Sequence, residues 1–383
     1  MKWESKNKEA RFYIVCNAYV PDVAFTNRVL SFVRGFSELG VETEVIFLVP
    51  DGSRSVVKDV YPHITFKYMW ARMPLSNRFI NKLAEEYYGW KFARSLRTGD
   101  VVYLTNFGNV FFKVLRRKGI KVFHEKTEHP DVYCFKGFNL SKYKREVHRV
   151  DCMFVISTAL KEYYMSLGIL EENIVVLNMT VDSNRFEGLR KQLSEPYIAY
   201  CGTASNNKDG VDELIKAFAI VHKTHPEVKL YIIGNIPQKK DISGNLKLIE
   251  SLNLKNSIVF TGVVTAADIP QILKNAVVLA LDRPDSLQAQ CGFPTKLGEY
   301  LLTENPVVVT KVGDIPIFLK DGESALLAEE RNPQEFASKI IWALDHSDAA
   351  AEIGKKGAEV ALEKFNYLTE TKKILSRLQR YKI

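Results

Sequence analysis

A chain of 383 residues is longer than one hydrophobic core ordinarily serves, so two domains of common size are expected. With 46% hydrophobic and 26% charged residues it has the make-up of a folded globular protein and not of a disordered one, and no apolar run is long enough to cross a bilayer. The formal charge of +8 admits anionic partners, but no nucleic-acid recognition module accompanies the basic residues, and nucleic acid is not an expected partner.

The opening stretch MKWESKNKEAR lacks the apolar segment of a secretory signal. Cys16, Cys134, Cys152, Cys201 and Cys291 are odd in number, scattered and without metal-ligand spacing, which suits a reducing cytoplasm. Residues 12–16 form the first expected strand, followed by a helix over 26–39 with Gly40 as its stop and a strand over 43–49. Strand, helix, strand is the parallel α/β pattern, and the absence of Gly-x-Gly-x-x-Gly after the first strand argues against dinucleotide binding there. Between Lys67 and Arg97, seven basic residues stand against two acidic ones, interleaved with Tyr68, Trp70, Phe79, Tyr87, Tyr88, Trp90 and Phe92. Two readings stay open for this segment. It rests on an anionic membrane surface, or its aromatics are core and its basic face is solvated.

Further strands are expected at 100–104, 120–123, 152–156 and 174–177, with a helix over 107–119 and Ser157 capping the helix that ends at Leu167-Gly168. The strand at 120–123 runs into the polar cluster His124-Glu125-Lys126-Thr127-Glu128-His129-Pro130. Its histidines are five apart, which on a helix turns them roughly 140° from each other, so a zinc site of the helical protease kind is excluded. His124, directly after the strand, suits hydrogen bonding to a substrate hydroxyl and Glu128 suits orienting an acceptor; a polar surface loop is the alternative. The polar passage 182–196 reads as the connection between domains. A second series follows, with strands at 197–200, 229–233, 258–260, 277–281 and 307–310 alternating with helices, and helix again from about 332 onward. Two doubly wound, Rossmann-like α/β domains facing a cleft are therefore expected: 1–185, 196–365, and a final helix over 366–383 returning to the first.

The loop from Gly202 to Gly210 is small, amide-rich and carries Lys208, which suits either a phosphate cradle or a plain turn. In Asp282 to Gly313 a strand, wide loop, helix and strand place Lys296 and Glu299 one turn apart, facing the same way. A cation and a carboxylate there suit a ligand with phosphate and hydroxyl groups; an ordinary surface ion pair is the alternative.

The passages YCGTASNNKDGVDELIKAFAIV, LYIIGNIP, IVFTGVV and GFPTKLGEYLLTENPVVVTKVGDIPIFLKDGESALL, with NMTVDSNRF before them, carry a resemblance. They are similar to the donor-binding domain of the retaining glycosyltransferases of the B-type fold, the large family of sucrose synthases, phosphatidylinositol mannosyltransferases and enzymes of bacterial surface polysaccharides. The resemblance implies a metal-independent hexosyltransferase without a cofactor, its donor a UDP-, GDP-, ADP- or dTDP-sugar and its acceptor a glycan or lipid-linked saccharide. It implies an enzyme of polysaccharide synthesis; a peripheral place on the inner face of the membrane is a separate expectation that rests on the basic, aromatic Lys67 to Arg97 segment. Glu299 matches the second carboxylate of the family's Glu-x7-Glu signature and would bind ribose hydroxyls. Lys208 would face the diphosphate, Lys296 would assist, and His124 would lie near the donor sugar. Gly202, Thr203, Cys291, Gly292 and Phe293 complete the expected donor site. Two positions depart from the pattern: Cys291 stands where the signature's first Glu belongs, and Thr203 where an arginine does. Backbone N–H groups at Gly292 and Phe293 are then expected to reach the sugar. The rival functions are a nucleotide-sugar epimerase or hydrolase of the same shape, and a non-catalytic glycan-binding scaffold.

Overall fold

The computed structural model describes residues 10–50, 55–70, 78–105, 110–132, 138–192, 195–235 and 239–380. Two compact units divide the chain: residues 1–178 together with 367–383, and residues 179–366.

The first unit is built on a parallel sheet of β1 (Phe12–Cys16), β2 (Thr43–Phe47), β3 (Ile64–Tyr68), β4 (Val101–Leu104), β5 (Lys121–Lys126), β6 (Cys152–Val155) and β7 (Ile174–Val176). Their order is β3-β2-β1-β4-β5-β6-β7. Central strands β1, β4 and β6 are buried at every position, as continuous apolar strands covered on both faces must be. Edge strand β3 instead alternates half-buried Ile64, Phe66 and Tyr68 with exposed Thr65 and Lys67. It escapes a search for apolar runs for that reason, and it takes up the start of the basic, aromatic segment. The rings of that segment divide. Tyr68 stacks on Phe47 at 5.3 Å, and Tyr88 and Phe92 are buried on the inner face of the helix Arg78–Ser95. Leu83, Tyr87 and Trp90 are exposed, and Arg94 lies 4.8 Å over the ring of Trp90. Residues 71–77 of the segment, Cys134, and the start of the expected 107–119 helix lie outside the described residues; the helix observed there is Val110–Leu115.

The helix Tyr367–Arg380 belongs to this unit. Ile374 and Leu378 join Val29, Phe32, Val33 and Phe36 in its core, and Tyr367 donates to Glu38 at 2.6 Å. A Cβ at Gly35 would overlap Thr371, so a bare backbone there lets the helices Ala24–Glu38 and Tyr367–Arg380 meet closely.

The second unit carries β8 (Tyr197–Cys201), β9 (Lys229–Ile233), β10 (Ile258–Gly262), β11 (Val278–Leu281), β12 (Val307–Thr310) and β13 (Leu326–Ala328), all parallel, in the order β10-β9-β8-β11-β12-β13. The chain winds outward from β8 one way and from β11 the other. The strand order therefore reverses between β8 and β11, where open α/β sheets leave a crevice at their carboxyl ends. Residues 179–186 pack within this unit: Met179 and Val181 fill the space where Gly298 would carry a Cβ. A larger residue at 298 would push that segment off the helix Thr295–Leu302.

Candidate active site

Everything that gathers at the β8/β11 reversal does so because short loops leave these two strands. After β8 the chain turns at Gly202, whose N–H donates to Ile233 O at 2.9 Å, and then forms the short helix Asn206–Asp209 carrying Lys208. Gly210, at φ +56°, ends that helix in the left-handed region and lies against the carbonyl of Asp282, where any Cβ would collide. The loop is thereby pressed onto the end of β11. Asn206 exchanges two 3.0 Å hydrogen bonds with buried Asn245, tying the same short helix to Lys239–Ser251.

Lys296, from the first turn of Thr295–Leu302, reaches into the space above Gly202 and pairs with the buried carboxylate of Asp209. Its ammonium also donates to Tyr200 Oη at 2.9 Å, and Tyr200 donates to Asp209 Oδ2 at 2.7 Å. Burial pushes the Lys296 pKa down, opposed by Asp209; Lys208 and Arg283 add to the lowering. Burial alone would raise the Asp209 carboxyl, but Lys296, the Tyr200 hydroxyl and Arg283 outweigh it and hold it below its usual range. Arg283, two residues past the end of β11, is buried with its backbone N–H on Thr310 Oγ1 at 2.9 Å. Beyond the Lys296–Asp209 pair, two further cations, Lys208 and Arg283, act on Lys296, an arrangement that suits an anionic ligand. Tyr300 locks the helix to β8 by donating to Cys201 O at 3.1 Å.

Glu299 projects from the same helix with its side chain 28% exposed, so solutes reach it. Its Oε1 is paired with Arg185 Nη1, while Arg185 Nη2 donates to Ala266 O at 2.7 Å. Burial raises the Glu299 pKa, and Arg185 opposes that rise.

The structure therefore brings together Gly202, Thr203, Lys208, Lys296 and Glu299 at one sheet edge, and adds Asp209, Arg283 and Arg185. The adjoining expected residues stand otherwise. Cys291 is buried at the end of the short helix Leu287–Cys291. Gly292 N–H donates to Gln288 O at 3.0 Å. The Phe293 ring packs against Phe318 and Phe365 at 5.5 and 5.4 Å, inside an aromatic cluster.

In the first unit β5 runs through His124 to Lys126, so His124 lies inside the strand and not after it. Its ring is fully buried, 4.7 Å from that of Phe111. Nδ1 lies 3.0 Å from Leu104 O and Nε2 3.2 Å from Tyr143 Oη, which is 2.9 Å from Tyr164 Oη. A carbonyl only accepts, so Nδ1 carries the proton and Nε2 accepts from Tyr143. Glu125 is likewise interior, paired with Arg28 at 2.6 Å, and Arg28 also donates to Leu177 O and Asn178 O. His129 is buried against Tyr163, whose ring centroid is 4.1 Å away, and Glu128 is half-buried. Among the described residues no group of three or more His, Cys, Asp or Glu is placed to hold a metal.

Burial lowers the His124 pKa from 6.5 to about 3. Below pH 6.5 the unfolded chain takes a proton there that the folded chain refuses, so the first unit loses up to about 1.4 kcal/mol per pH unit until the folded ring titrates. Urea unfolding of His124→Gln, which retains a donor for Leu104 O, is expected to show a shallower loss on the acid side than wild type. Equal slopes would contradict this burial.

A doubly wound parallel unit with cations at its strand reversal has the layout in which open α/β sheets form ligand crevices. Residues 195–346, within the second unit, match the family model described as "Glycosyl transferases group 1", in agreement with the motifs read there. The trehalose synthase of Thermococcus litoralis is 27% identical over 179 residues, 45% of this chain and 41% of its own length. The poly(ribitol-phosphate) alpha-N-acetylglucosaminyltransferase of Staphylococcus aureus is 28% identical over 157 residues, 41% of this chain and 30% of its own. These matches span less than half the length of either relative. Anabaena Alr3699/HepE, solved in complex with UDP and also with UDP-glucose, superposes with a TM-score of 0.74 and 17% identity, covering 97% of this chain and 100% of that one. The α/β architecture of two parallel sheets is thus that of the B-type glycosyltransferase fold.

Proposed function

We propose that the protein transfers a hexosyl group from a nucleotide sugar to a hydroxyl of a glycan or lipid-linked saccharide, with retention of anomeric configuration and without a metal. The observation that carries this reading is the crevice of the second unit, with Lys296 over Gly202, Lys208 and Arg283 acting on Lys296, and Glu299 within solvent reach. The cations face the diphosphate and Glu299 takes the ribose. The UDP and UDP-glucose complexes of the Anabaena neighbour support a uridine donor as the first to test.

The bond from the sugar's anomeric carbon to the diphosphate oxygen breaks as positive charge develops on the sugar. Lys208 and Lys296 stabilise the negative charge on the departing diphosphate, which is where fixed cations accelerate a reaction most. The acceptor oxygen attacks from the same face and its proton passes to the leaving phosphate, so no protein base is consumed. A binding and turnover screen of UDP-, GDP-, ADP- and dTDP-sugars tests this. The reading expects one base to bind and its sugar to appear on an acceptor with the same anomeric configuration. Release of free sugar over a broad acceptor panel would favour a hydrolase, and binding without turnover a scaffold.

Membrane attachment is proposed on a separate observation. Leu83, Tyr87, Trp90, Lys91 and Arg94 share the outer face of the helix Arg78–Ser95, all exposed, with no acid among them. Rings at headgroup level with cations beside them suit an anionic lipid surface. Flotation with acidic vesicles is expected to carry the protein at low salt and release it at high salt. A Tyr87→Ala, Trp90→Ala double variant should float several-fold less; absence of binding at low salt ends the idea.

A further inference from the structure

We propose that Arg185 fits this crevice to ribonucleoside diphosphates over their 2′-deoxy counterparts, by holding Glu299 as an aimed acceptor for two neighbouring hydroxyls. The inference rests on the nucleotide-sugar reading above and narrows its donor class, placing dTDP-sugars outside it.

Arg185 leaves a single 3-10 turn, Ser183–Phe186, whose start is fixed by Asp182 Oδ1 accepting from Asn184 N at 3.3 Å. One guanidinium nitrogen holds Glu299 Oε1 and another is anchored 2.7 Å from Ala266 O. The segment that presents it is itself packed on the helix, since Met179 and Val181 fill the space over Gly298, the residue before Glu299. Three chain segments therefore set the direction of one carboxylate. Its second oxygen makes no hydrogen bond among the described residues, while the side chain stays partly open to solvent.

A carboxylate only accepts hydrogen bonds, and a ribose offers two adjacent hydroxyls that donate. A 2′-deoxy sugar offers one and leaves an acceptor position unmatched in a shielded place. Sites built around a hydroxyl reject the analogue that lacks it. The charged and titratable groups facing Glu299 are Arg185 and Asp182 from the preceding segment, the Cys201 thiol at the end of β8, and its neighbour Tyr300. Burial and Asp182 push the Glu299 pKa up and Arg185 pulls it down. Without the arginine, the carboxyl takes up a proton at higher pH, and one of its two oxygens turns from acceptor to donor.

The test is calorimetric titration of wild type, Arg185→Met, Arg185→Gln, Arg185→Lys and Glu299→Gln with matched pairs: UDP and 2′-deoxy-UDP, GDP and 2′-deoxy-GDP, ADP and 2′-deoxy-ADP. For the base that binds, wild type is expected to favour the ribose form by roughly tenfold or more. Arg185→Met and Arg185→Gln should bring that ratio close to one, most completely on the acid side, and Arg185→Lys should restore part of it. If either neutral variant fails to fold, the other decides. An unchanged ratio in the folded variant, with the ratio lost in Glu299→Gln, overturns the role of Arg185 alone. A wild-type ratio retained in Glu299→Gln overturns the ribose reading of Glu299, and no binding of any pair by wild type overturns the proposed function itself.

Discussion

Lys296→Met is expected to abolish measurable transfer and to destabilise the second unit by about 3–5 kcal/mol, the usual result of removing one partner from a buried ion pair. Asp209 is 2% exposed and Lys296 16%, so solvent does little to screen the pair. With the ammonium gone, Asp209 keeps Tyr200 as a donor but loses its charged partner, and its carboxyl rises toward protonation. The sign is fixed by the depressed Asp209 pKa. Its contribution to stability is present above the ordinary carboxylate pKa of 3.8 and is lost as pH falls through the lower folded value. The double variant Asp209→Asn, Lys296→Met removes the stranded charge and should recover much of the stability without recovering activity. Urea unfolding and donor turnover on the same samples separate the two effects. A double variant no more stable than Lys296→Met would contradict the ion-pair account.

Lys208→Ala should behave differently. Lys208 is half-buried on a four-residue helix, so its loss is expected to change stability by about 1 kcal/mol or less. Turnover should fall roughly 10²–10³-fold, the scale seen when one preorganised stabiliser of transition-state charge is removed. The fall should sit mainly in kcat, because charge on the leaving diphosphate grows only as the bond breaks. An unchanged rate of donor consumption would take Lys208 out of the mechanism.

Much of the fold is legible in the chain because fully buried parallel strands are continuous apolar runs punctuated by turn formers. β1, β8 and β12 fall where such runs stand. β3 is missed because an edge strand alternates; β13 is missed as well, although β7, equally short, is read. In the crevice, Lys208, Lys296 and Glu299 stand out through motif and helical spacing. Their partners do not, since Asp209 meets Lys296 across 87 residues and Arg185 meets Glu299 across 114. One signal for Arg283 is its place two residues past β11, the strand that flanks the reversal. His124 misleads in the opposite way. A polar cluster after an apolar run reads as a loop, yet β5 continues through it and turns His124 and Glu125 into interior groups with satisfied partners.

The most direct measurement is a crystal structure of the protein with the nucleoside diphosphate that binds most tightly in the donor screen. The account predicts the diphosphate over Gly202 within hydrogen-bond reach of Lys208, and the ribose hydroxyls on Glu299. A nucleotide bound elsewhere, touching neither side chain, would contradict it.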